Sequence, residues 1–176
     1  MFKKIILPLF VLSVAAAFSQ TAYSASSKED IQRDFTVYSS EIEKKTANLL
    51  ASMEKDMETL DGIITKDGKK DISDLEKSVD SKTKELISQM DAAYSKLKTP
   101  EVKRYHKISL KFIKIRYNIT KDVLSAYKAK KGVFQESDFA AVVNKYKNEL
   151  ESLQKENAEA LQAIGNIVAD EAGKPK

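Results

Sequence analysis

Apolar residues recur in steps of three and four along most of this chain, and that spacing predicts helices. The first line runs Ile31, Phe35, Tyr38, Ile42, Leu49, Met53, Met57, Leu60 and Ile64, with Thr46 filling its one gap. A second line, Ile72, Leu75, Val79, Leu86, Met90, Ala93 and Leu97, opens at Ser73-x-x-Glu76. There a hydroxyl and a carboxylate are spaced to satisfy orphaned backbone N–H groups. The line stops at Thr99-Pro100, which also starts the third segment, with threonine as N-cap and proline at the first helical position. Gly132 marks the close of that segment, because glycine adopts positive φ without a Cβ penalty. The fourth line carries Phe139, Val143, Tyr146, Leu150, Leu153, Ala160, Ile164 and Ile167, with Asn157 where an apolar residue is expected. A single polar residue in such a core is a known way to fix register. The expected helices are therefore 28–65, 72–98, 100–131 and 137–170.

One stretch within the third segment, KISLKFIKIRYN (107–118), alternates apolar and polar residues as a strand does. At 100° per residue, however, Lys103, Lys107, Lys111, Lys114, Asn118 and Lys121 fall within about 80° of one another. The apolar residues then form two flanking stripes, Ile108, Phe112, Ile115, Ile119 and His106, Leu110, Ile113, Tyr117, Leu124. As a strand, the slip between Phe112 and Ile113 would throw the two halves onto opposite faces. A helix accounts for every lysine at once. Two stripes also predict contact on two sides, so this should be the most buried helix.

Four long helices with short connections predict an all-α protein. The expected architecture is an elongated antiparallel, up-down-up-down four-helix bundle with coiled-coil-like packing. Composition agrees: 32% of residues are charged, and there are only five glycines and three prolines.

The first 24 residues follow a different rule. A basic MFKK start, an apolar stretch from Ile5 to Phe18 and the small residues of Ala22-Tyr23-Ser24 make a secretory signal peptide, cleaved after Ser24. The chain is then read as 1–24 signal, 25–170 helical domain and 171–176 polar tail, destined for the bacterial periplasm or the exterior. The stretch is too short for a spanning helix, and no later apolar run approaches that length. Lys3 and Lys4 leave with the signal, bringing the remainder to about +2. That near balance argues against wholesale nucleic-acid binding. The chain contains no cysteine, which excludes disulfides, thiol catalysis, iron–sulfur clusters and thiolate zinc sites.

Site chemistry is sparse. His106 is the one histidine, with no His-x-x-x-His or Glu-x-x-His pairing to make a metal site, and no cofactor motif is present. No Gly-x-Ser-x-Gly, phosphate-binding loop or dinucleotide fingerprint appears, so the expectation is a non-enzymatic protein. Arg116 projects from the apolar arc of the third helix and needs a carboxylate, making it a buried ion pair or an anion site. In the expected topology the first and third connections share a pole. That brings Lys66, Lys69 and Lys70 near Lys128, Lys130 and Lys131, beside Phe134. This pole is the expected contact for a protein or an anionic envelope component. The competing readings are that lysines at helix ends complement the macrodipole, and that Phe134 staples the next helix. The alternative function is a membrane-active or lipid-binding bundle whose helices open to expose their stripes.

Overall fold

A computed structural model describes residues 26–64, 71–130 and 133–170. Among them the chain forms six α-helices, one π-helical turn and no strand. Helix α1 is Lys28–Tyr38, followed by the π turn Ser39–Glu43 and α2, Lys44–Ile64. Helices α3 and α4 are Ser73–Tyr94 and Pro100–Ala129; α5 and α6 are Glu136–Lys145 and Lys147–Asp170. KISLKFIKIRYN lies wholly inside α4.

The first expected helix is interrupted by the π turn, and its own spacing explains why. Tyr38, Ile42 and Thr46 are all buried and follow one another at steps of four. In an α-helix each such step drifts about 40°, and a wider turn keeps the three side chains on one face. The Thr46 hydroxyl is satisfied internally, donating to the Ile42 carbonyl at 2.7 Å. Glu41 in the π turn takes Lys45 and Lys96, the latter at 2.6 Å, and these two ammonium groups hold its carboxyl down to about 2.

Capping differs from the sequence expectation at α3. Asp71 supplies the oxygen, accepting from the backbone N–H and hydroxyl of Ser73 at 2.9 and 2.6 Å, while Glu76 turns to Lys128. The helix starts at Ser73, one residue earlier than a capping box with Ser73 as N-cap requires, so the preceding carboxylate takes that role. At α5, Gln135 N–H donates to Asp138 at 3.0 Å. The last expected helix breaks at Tyr146, whose N–H bonds back to the Val143 carbonyl at 3.0 Å.

Helix α4 packs against α3 and α6, with α1 and α5 also touching it, and α1 meets α6. Twelve of its residues are buried, more than in any other helix, as two stripes demand. The core divides into two apolar clusters. One centres on Leu60, Val79, Ile119, Val123 and Phe134; the other centres on Ile31, Tyr38, Leu86, Met90, Val102 and Tyr105.

A buried carboxylate joins the start of α4 to α1. Asp34, fully buried, accepts from Lys98 N–H at 2.7 Å, Thr99 N–H at 2.6 Å and the Thr99 hydroxyl at 2.8 Å, with Arg33 at 3.3 Å. Thr99 thus occupies the N-cap position, but its hydroxyl serves Asp34 rather than the helix. Burial alone would raise this carboxyl. The donors of Thr99, Lys98 and Arg33 outweigh it and hold the group below its ordinary value. Ser26 adds a second tie, its hydroxyl donating to Glu101 at 2.8 Å. No helix among the described residues is long and apolar enough to cross a membrane.

Candidate functional site

The outward positions of α4 are Arg104, Lys107, Lys111, Lys114, Asn118, Lys121, Ser125 and Lys128, spaced three and four apart as one solvated stripe. Six of the eight are cationic and none is acidic. Other helices mix signs on their exposed faces: α6 shows Lys147, Glu149, Glu151, Lys155 and Glu159, and α3 shows Asp74, Lys77, Lys84, Glu85 and Asp91. Among the described helices the single-sign stripe is peculiar to α4.

Neighbouring helices neutralise only part of it. Arg104 pairs with Glu159 at 3.0 Å and Lys111 with Glu156 at 2.9 Å, both across to α6. Lys121 reaches Asp80 at 3.7 Å and Lys128 pairs with Glu76, both across to α3. These are exposed pairs, each worth about 0–1 kcal/mol. Lys107 and Lys114 have no carboxylate partner among the described residues. Lys107 instead lies over the ring of half-buried Tyr94 at 5.6 Å, beside Lys103 at 5.8 Å.

The expected lysine pole is divided differently. Lys66, Lys69, Lys70 and Lys131 lie outside the described residues, as does the proposed signal peptide. Lys128 and Lys130 are engaged by Glu76 and Asp138, and Lys130 holds the Asp138 carboxyl below its usual range. The Lys128–Glu76 pair places the start of α3 beside the end of α4. Phe134 is buried, its ring 6.4 Å from that of Tyr127, so it packs under the helices rather than standing at an apolar tip. The exposed apolar residue there is Val133, at 67%.

Arg116 faces inward at the seam between the two apolar clusters, and no ion pair to it is formed among the described residues. Its Nη2 is buried without a hydrogen-bond partner. Burial lowers its pKa, and the charge of Glu54 pulls the other way. The flanking hydroxyls do not help: Ser109 donates to the Tyr105 carbonyl at 3.1 Å and Thr120 to the Arg116 carbonyl at 2.9 Å. Both satisfy their own helix, four residues back.

Sequence reasoning missed Asp34, whereas His106, expected on an apolar stripe, is packed as that position implies. Asp34 lies one residue from the apolar line through Phe35, and its donors come from a turn 65 residues away. His106 is fully buried against Tyr38, edge-on at 5.8 Å, and Tyr94 at 5.5 Å, and neither ring nitrogen has a partner in hydrogen-bonding geometry. Burial holds the imidazole below its ordinary pKa, against the Asp91 charge and the Met90 backbone, so it is kept neutral. No cluster of three or more His, Cys, Asp or Glu suited to a metal ion occurs among the described residues.

Compared with protein-family models, curated proteins and solved structures, the chain matches none. The functional reading therefore rests on the molecule's own chemistry.

Proposed function

We propose that this chain is an exported, non-enzymatic helical protein that binds an anionic macromolecular partner through the outward face of α4. In this reading residues 1–24 are a cleaved signal peptide. The helices form an up-down-up-down bundle with coiled-coil-like packing, and the partner is a protein or envelope polymer in the bacterial periplasm or outside the cell.

The observation that carries the reading is the one-sign stripe. Lysines at i,i+3 and i,i+4 on one face repel by a few tenths of a kcal/mol per pair, and solubility alone is served equally well by the mixed faces of α3 and α6. A row of cations steers acidic partners and speeds encounter. The stripe runs from Arg104 to Lys128, nearly the whole length of α4.

The test is affinity capture from cell envelope and culture medium with the unaltered protein and with Lys107→Glu/Lys114→Glu. Bound species identified by mass spectrometry should fall about tenfold with the double variant and weaken with added salt, as screening of exposed charge requires. Equal capture by both proteins would refute the stripe as the contact. Co-sedimentation with anionic-lipid vesicles, in place of any captured macromolecule, would shift the reading to a membrane surface.

A further inference from the structure

The outward stripe of α4 is not uniform across its width. At about 100° per residue, Arg104 and Lys111 lie along one edge, where they meet Glu159 and Glu156 of α6. Lys121 and Lys128 lie along the other, about 80–120° around the helix, where they meet Asp80 and Glu76 of α3. Lys107, Lys114, Asn118 and Ser125 fall between the two edges, within about 40° of one another. Neither lysine of this midline has a carboxylate partner among the described residues. The face is therefore a cationic line about 36 Å long with acids along both sides.

That layout selects for width. A flat anionic membrane or a broad acidic protein surface would set its charge against the flanking acids as well as the lysines, and such like-charge contacts are costly. A single flexible strand can follow the midline and draw the edge cations to itself, because exposed ion pairs are weak. The side chains narrow the chemistry further. None of the eight positions is apolar or aromatic, whereas the centre of a protein–protein contact is built on aromatic and Arg anchors and is poor in Lys. Tyr94 is half-buried beneath the ammonium groups of Lys103 and Lys107, so its ring is not open for a base to stack on. Five of the six cations are lysines, point charges suited to phosphate, rather than the arginine forks that match planar carboxylates. We propose, on the reading of this face as the partner surface, that its occupant is a linear phosphate polymer without bases, lying as one strand along the midline of α4.

Inorganic polyphosphate long enough to span the stripe is the probe, titrated against the protein at several salt concentrations. The logarithm of the affinity should fall linearly with that of the salt. Lys107→Gln/Lys114→Gln should lower the affinity about tenfold and reduce the slope by about 1.4, the share of two contacts to a single strand. Polyglutamate of the same charge and anionic-lipid vesicles should bind about tenfold more weakly or less. Replacing the flanking acids (Glu76→Gln, Asp80→Asn, Glu156→Gln and Glu159→Gln together) should then admit the vesicles. No binding of polyphosphate at low salt, undiminished binding by Lys107→Gln/Lys114→Gln, or continued exclusion of vesicles by the quadruple variant would overturn the proposal. So would tighter binding of polyglutamate, vesicles or single-stranded DNA than of polyphosphate. Failure with polyphosphate, while macromolecular capture still falls in Lys107→Glu/Lys114→Glu, would refute this occupant and leave the partner surface standing.

Discussion

At its start α4 meets the buried charge of Asp34 with fixed donors; facing outward, it displays six cations and no acid along eight positions. Asp34 has three donors from the turn that begins α4, plus Arg33. A helix start has backbone N–H groups to spare, whereas a helix middle has none. Arg116 sits in such a middle, and as a donor it needs an acceptor, which its Nη2 does not find. Desolvation makes an unmatched inward charge cost several kcal/mol, whereas water screens the outward lysines and leaves their repulsion at tenths. The outward pattern is therefore little constrained by folding and free to serve recognition.

The largest effect is expected at Asp34. Asp34→Ala strands Lys98 N–H, Thr99 N–H and the Thr99 hydroxyl, and should cost about 3–5 kcal/mol in urea unfolding. Asp34→Asn keeps an acceptor and should cost about 1–3 kcal/mol. A loss below about 1 kcal/mol for the alanine variant, well under that range, would break the contrast between the two sides of α4.

Acid should act on the inward side next. His106 has a lowered pKa when folded, so the unfolded chain binds more protons. Stability is then fully present above the unfolded histidine value of about 6.5 and falls as pH drops below it. Asp34 is likewise depressed, so its contribution is present above the unfolded carboxylate value of about 4 and is lost as pH falls through its folded value. His106→Met should remove the first decline and keep the second, measured as unfolding free energy between neutral and acid pH. An unchanged profile in that variant would assign the near-neutral decline to other groups.

Outward changes should be small. Lys128→Ala removes the pair with Glu76 and should cost about 0.2–1 kcal/mol by the same unfolding measurement. Smaller still, Lys107→Glu places a glutamate four residues before Lys111, the favourable helical order, and Lys114→Glu sits three after it. The double variant should be level or more stable by about 0.2–0.5 kcal/mol per new pair. Destabilisation beyond about 1 kcal/mol, more than exposed charges contribute, would mean that the stripe holds the fold together.

Much of this was legible in the chain because helical spacing is a local property. The steps of three and four, the lysine face of 103–121 and the double stripe of α4 all follow from residues within two turns of one another. What escaped depends on distance or on competition between neighbours. Asp34 is unremarkable beside Phe35 until a turn 65 residues on delivers three donors. Ser73 looked like a cap until Asp71 reached it first. Phe134 carries two opposite readings in sequence, tip or staple, and only its 6.4 Å approach to Tyr127 separates them. Arg116 was visible as an inward cation, whereas its lack of a contact ion pair depended on Lys82 and Ser78 occupying Asp56.

The most direct test of the central claim joins fold and binding in one pair of proteins. Unfolding curves and capture yields are measured together for the unaltered chain and Lys107→Glu/Lys114→Glu. The expected result is a fold as stable as before, or slightly more so, with capture reduced about tenfold and the remaining capture less sensitive to salt. Undiminished capture by the double variant, at the same salt and with the same stability, would contradict a partner surface on α4.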